Sequence, residues 1–133
     1  MMPPRGRRRR PDAIAPDGSE IRYLVRAERA SLVEVRLPAG QVSRPVRHRT
    51  VEEVWYVTGG EGDVWRCPPG GRARPVPVRP GDALVIPTGW SFQFRAGRRP
   101  LRFLCYTSPP WPGEREAVPV AKGELGPPTT NGR

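Results

Sequence analysis

Turn residues limit how long any regular element of this chain can run. Its 133 residues include 19 prolines and 15 glycines. Many fall in groups: Pro38-Ala39-Gly40, Gly59-Gly60, Pro68-Pro69-Gly70-Gly71, Pro80-Gly81-Asp82 and Pro87-Thr88-Gly89. Proline lacks a backbone donor, and glycine adopts angles closed to other residues, so such groups end strands and helices alike. Between them lie short runs of β-branched and aromatic residues. No window keeps apolar residues at three- and four-residue spacing, so very little helix is expected. Short strands separated by turn groups predict an all-β sandwich or barrel, and the length suits one domain with a modest core.

Strands are expected over Ile21–Val25, Ser31–Leu37, Val51–Thr58, Gly62–Arg66, Ala83–Ile86, Ser91–Arg95 and Pro100–Thr107. Pro75–Val78 reads as a short edge strand, because proline cannot donate to a ladder. Residues 1–18 read as a disordered basic arm and 19–113 as the β-barrel domain. Residues 114–133 read as a C-terminal tail, mostly disordered, with Trp111 anchoring the end of the domain onto the barrel.

The net charge is +10, but Arg5, Arg7, Arg8, Arg9 and Arg10 supply half of it, which leaves +5 for the rest. With 22 arginines against one lysine, Lys122, the charge reads as coding bias more than as selection for phosphate contacts. Nucleic acid is therefore not the expected partner. The basic start is followed by Pro11, Asp12 and Pro16 rather than an apolar stretch, so no secretory signal is expected. No run is long enough to span a membrane. A cytoplasmic protein is the expectation, with Cys67 and Cys105, 38 residues apart, as reduced buried thiols.

Two segments carry a more specific pattern. Gly40 is followed by Val46-Arg47-His48, then Glu53, then Gly60; Gly81 leads to Pro87-Thr88-Gly89 and Phe92. This set resembles the two motifs of the small single-domain cupins, the type 2 group of the RmlC-like jelly-roll superfamily, over roughly Ile21 to Trp111. The Pro109-Pro110-Trp111-Pro112-Gly113 stretch resembles an uncharacterised group of short bacterial cupins. The resemblance implies a double-stranded β-barrel of jelly-roll type and a homodimer. It also implies that positions 46, 48, 53 and 92 share one lumen, where cupins commonly hold a metal with three imidazoles and a carboxylate.

Carried over residue by residue, only His48 and Glu53 keep a ligating side chain; Val46 and Phe92 have none. A degenerate metal site with no cofactor is expected, and any divalent ion would rest on His48 and Glu53. Ser91, Gln93, Cys67 or Cys105 would add a donor only in a different register. His48 and Glu53 are therefore the candidate catalytic pair, with Val46, Trp55, Val57, Phe92 and Phe94 as the candidate ligand-binding wall. Burying an imidazole and a carboxyl costs several kcal/mol unless they pair or meet a polar ligand, about the cost that singles them out from ordinary packing.

Three functions stay open. The pair could run metal-independent acid–base chemistry (isomerisation, elimination or cyclisation) next to a carbonyl, with Arg47, Arg49 or Arg95 at the rim taking a carboxylate. The lumen could instead be a non-catalytic small-molecule binding or sensor module. Or a third ligand could complete a metal-dependent enzyme. A simple hydrogen-bonded core pair is the bland reading beside them, and the sequence leaves open whether the protein is an enzyme.

Overall fold

Alternation organises the barrel. From Glu52 to Thr58 every second side chain is buried: Glu53, Trp55 and Val57 face in, while Glu52, Val54, Tyr56 and Thr58 are exposed. A strand with this two-residue period must have one face on a core and one in water. The computed structural model describes residues 3–130. Its strands are β1 (Ala13–Ile14), β2 (Glu20–Arg26), β3 (Ser31–Leu37), β4 (Val46–His48), β5 (Glu52–Gly59), β6 (Gly62–Cys67), β7 (Val76–Val78), β8 (Ala83–Ile86), β9 (Ser91–Ala96), β10 (Leu101–Ser108) and β11 (Ala117–Pro119). A single 3-10 turn covers Glu114–Glu116, and the described residues contain no α-helix. None is therefore long and apolar enough to cross a membrane.

The strands form two antiparallel sheets, ordered β1-β2-β3-β10-β5-β8 and β11-β4-β9-β6-β7. The inner faces meet in one apolar core that includes Val35, Leu37, Trp55, Val64, Ile86, Phe92, Phe94, Leu101 and Phe103. Aromatic rings tie the sheets together. Trp55 stacks on Phe103 of the neighbouring strand, with centroids 3.9 Å apart, and Phe94 of the opposite sheet meets both edge-on at 5.3 and 5.4 Å. Gly60 closes the β5–β6 turn with a positive φ of 70°, and a Cβ there would sit 2.0 Å from the Pro100 carbonyl oxygen.

The expected strands are all present, and β7 is an edge strand paired only with β6. Three strands were not among those expected: β1, β4 and β11. β1 lies inside the segment read as a disordered arm, and pairs with β2. Upstream of it, Arg22 donates from Nε to the Arg8 carbonyl and from Nη2 to the Arg9 carbonyl, and Arg7 reaches Glu34 at 2.6 Å. β11 lies in the segment read as a tail, and pairs with β4. Beyond it, Gln93 of β9 accepts from the Leu125 N–H and donates to the Gly126 carbonyl, while Leu125 packs with Val42, Trp65 and Cys67 in a second small core. Both terminal segments lack periodic apolar pattern, and they are held mainly by backbone bonds and single polar side chains. Residues 1, 2 and 131–133 of the expected arm and tail lie outside the described residues.

Candidate functional site

The inward positions of four strands converge at one end of the lumen. β4 brings in Val46 and His48, β5 Glu53 and Trp55, β9 Phe92 and Phe94, and β10 Phe103, Cys105 and Thr107. Pairing fixes their neighbours: Val46 lies opposite Phe92, Glu53 opposite Thr107, and Trp55 opposite Cys105. Together they surround a cavity of about 90 Å³, whose wall also includes Ala13–Asp17, Ser19, Val33, Val35, Trp111 and Glu114. Since an apolar cavity of about 150 Å³ takes a benzene, this one has room for a molecule somewhat over half that size.

His48 is 3% exposed and Glu53 6%. The His48 Nδ1 lies 3.7 Å from Glu53 Oε2, beyond hydrogen-bond range, and has no hydrogen-bond partner. The imidazole is wedged between Phe92 and Trp111, both meeting it edge-on at 5.0 and 5.2 Å. Trp111 is itself pinned where its backbone N–H donates to Ser31 Oγ, as the expected anchor. The other oxygen of Glu53, Oε1, accepts from the Trp55 indole N–H at 2.8 Å.

Burial pushes the Glu53 carboxyl above its ordinary range, against the opposing pull of His48, the Trp55 N–H and the Cys105 thiol. Burial likewise pushes the Asp17 carboxyl up, although the Ser19 hydroxyl and N–H both donate to it. Burial and the neighbouring Glu53 carboxyl push the Cys105 thiol well up, so it is not a ready thiolate nucleophile.

Of the residues read from sequence, Val46, His48, Glu53, Trp55, Phe92 and Phe94 share this wall. Val57 is buried in the core but does not line the cavity. The three rim arginines are elsewhere: Arg47 is exposed, Arg49 donates to the Arg115 carbonyl and Arg95 pairs with Asp63 at 2.8 Å. Among the described residues no lysine or arginine lines the cavity. Gln93 and Cys67 lie outside the lumen, with Gln93 facing the C-terminal segment and Cys67 donating to the Gly71 carbonyl. Asp17, Ser19 and Thr107 were missed. Thr107 was legible, because it continues the inward period of Phe103 and Cys105. Asp17 carried no signal, as it sits in a turn outside the expected domain.

Among the described residues no three or more histidine, cysteine, aspartate or glutamate side chains form a donor set for a metal ion. Two donors facing a valine and a phenylalanine do not fit the ligand requirement of a divalent ion, so no chemistry is derived through a metal.

Two antiparallel sheets closed around a small lumen define a jelly-roll barrel. This chain belongs to the cupin family: the model of the cupin domain matches residues 33–107, more than half of its length. It is 30% identical over 107 residues to the uncharacterized protein MJ1618 of Methanocaldococcus jannaschii, covering 76% of this chain and 82% of that one. Among solved structures, KdgF from Halomonas sp. is similar at a TM-score of 0.59 and 24% identity, covering 69% of this chain and 79% of that one. Oxalate decarboxylase from Bacillus subtilis is similar at a TM-score of 0.70 and 20% identity, covering 87% of this chain and 30% of that one. At these identities the structural likenesses show the fold alone.

Proposed function

We propose that this cupin-domain protein binds a small organic molecule in its lumen and moves a proton on it with His48 and Glu53, without a metal. The observation that carries the reading is the His48 Nδ1, buried, unpartnered and 3.7 Å from Glu53 Oε2. A nitrogen or oxygen atom placed about 2.8 Å from each would bridge them and satisfy both. Burial makes Glu53 a better proton holder than an ordinary carboxyl, so it is suited to carry a proton to or from a bound molecule. One gives a proton to the bound molecule while the other takes one, which suits isomerisation, elimination or cyclisation. The aromatic walls select shape and exclude water.

Oxalate decarboxylase, by its name, acts on oxalate, a dianion. With no arginine or lysine on the described wall, that substrate is not carried over. The test is deuterium incorporation: the full chain is incubated in deuterated water with candidate small molecules, and C–H exchange is followed by NMR. His48→Gln and Glu53→Gln should each slow exchange by about 10²–10⁴-fold. Exchange unchanged in both variants would refute the reading. Saturable lumen binding without exchange would establish a non-catalytic binding module instead.

A further inference from the structure

The charge on the cavity wall has one sign apart from His48. Asp17, Glu53 and the exposed Glu114 line it, and no arginine or lysine among the described residues does. Burial favours the protonated form of both buried carboxyls, and a cation bound between them would let them ionise. The counter-charge comes from no described residue lining the lumen, and burying a carboxylate without a cation is costly. A second observation points the same way. The His48 Nδ1 is buried and unpartnered on this wall, and in the neutral imidazole that nitrogen can offer a lone pair. Nδ1, Glu53 Oε2 and the Asp17 carboxyl are then three acceptors around one space of about 90 Å³. Around them stand Trp55, Phe92, Phe94 and Trp111, rings that attract cations through their faces.

From this we infer that the lumen takes a small organic cation, a protonated amine of about the size of methylammonium or the amine end of a larger molecule. The N–H groups of the ammonium donate to Glu53 Oε2 and His48 Nδ1, which stand 3.7 Å apart, and the Asp17 carboxyl on the same wall adds a longer-range attraction. Its carbon lies against the rings. An anion of the same size meets carboxylates on an apolar wall and is excluded. The inference rests on the reading of the lumen as a ligand site and adds the charge class of the ligand.

The test uses the full chain and three probes of similar size: methylammonium chloride, sodium acetate and acetone, titrated at constant ionic strength. Trp55 and Trp111 on the wall make intrinsic fluorescence the readout, with the shift in melting temperature beside it. Methylammonium should give a saturable change, with acetate and acetone at least about tenfold weaker, a difference of about 1.4 kcal/mol. Glu53→Gln and Asp17→Asn should each weaken methylammonium by about tenfold or more. Acetate or acetone binding as tightly as methylammonium, and lost in Glu53→Gln, would overturn the charge class while keeping the lumen site. No saturable response to any probe in the unmodified chain would overturn the inference. The selectivity among probes needs no variant, so a variant that fails to fold does not blunt the test.

Discussion

His48 Nδ1 and Glu53 Oε2 stand 3.7 Å apart on one buried wall, too far for a direct hydrogen bond and close enough for one atom to bridge. A core pair kept only for stability would close that gap. Here Glu53 is held from its other oxygen by the Trp55 indole, and the imidazole is wedged between Phe92 and Trp111. The gap is thus set by the surrounding rings and strands rather than by the pair itself.

Glu53 gives the barrel a defined pH dependence. Its folded carboxyl keeps its proton to higher pH than in the unfolded chain, because burial dominates its surroundings. Between the ordinary carboxyl range and the raised folded value, the folded state binds more protons than the unfolded state. Stability therefore falls as pH rises through that window. Asp17 contributes with the same sign. Glu53→Gln keeps an acceptor for Trp55 and removes the ionisation. Its stability relative to the parent should rise across that window and level off above it, as measured by urea melts between about pH 4 and pH 9. A difference that does not change with pH would show that Glu53 is not perturbed.

Restoring the missing ligands should create a metal site. Val46 and Phe92 are cross-strand partners on the wall that holds His48 and Glu53. The double variant Val46→His, Phe92→His puts three imidazoles and a carboxyl around one space, a donor set suited to divalent transition metals. We expect the variant to retain a divalent metal through dialysis, and the parent to retain none, by elemental analysis. The stability loss should stay below the about 3–5 kcal/mol of a full Phe-to-Ala deletion. Failure of the folded variant to hold metal would mean that the four positions do not converge.

Gln93 lies between Phe92 and Phe94 but serves the opposite face. It is fully buried, donates to the Ser43 and Gly126 carbonyls, and accepts from the Leu125 N–H. Gln93→Leu should destabilise by about 1–3 kcal/mol, because buried backbone groups lose partners. Limited proteolysis should then cut within residues 121–130, with a change in the fluorescence of Trp65, which packs with Leu125 on that face. No new cleavage in the folded variant would show that Gln93 does not hold this segment.

Glu116 fastens the C-terminal segment to the β4–β5 loop. Burial pushes its carboxyl up, but the Thr50 hydroxyl and the Thr50 and Val51 N–H groups outweigh it and leave the carboxyl below its ordinary range. Its contribution is therefore present above the ordinary carboxyl range and is lost as pH falls through the depressed value. Glu116→Ala should cost about 1–3 kcal/mol near neutral pH and less in acid. Equal cost at both pH values would assign the loss to packing instead.

Removing residues 1–11 tests the N-terminal segment. Arg22 is 5% exposed and takes the Arg8 and Arg9 carbonyls as acceptors, with Arg7 on Glu34 beside it. The deletion should lower stability by about 1–3 kcal/mol, seen as a lower denaturant midpoint. An unchanged midpoint would return this segment to the role of a solvated arm.

Much of this protein was set by local chemistry that sequence displays. Turn groups limit strand length, a two-residue period sends Glu53, Trp55 and Val57 inward, and glycine and proline spacing matches the cupin motifs. These signals are local because backbone angles and side-chain alternation are decided within a few residues. The tertiary structure decided what no local pattern encodes. It set the 3.7 Å gap between His48 and Glu53 and turned Val57 away from the cavity wall. The three arginines expected at the rim went to the Arg115 carbonyl, to Asp63 and to solvent, so among the described residues the wall has no arginine or lysine. It also brought Asp17 to that wall from a turn outside the expected domain, and fastened the described parts of both terminal segments through Arg22, Gln93 and Glu116. Such contacts join residues far apart in the chain, and their energies depend on burial and distance, which only the closed barrel defines.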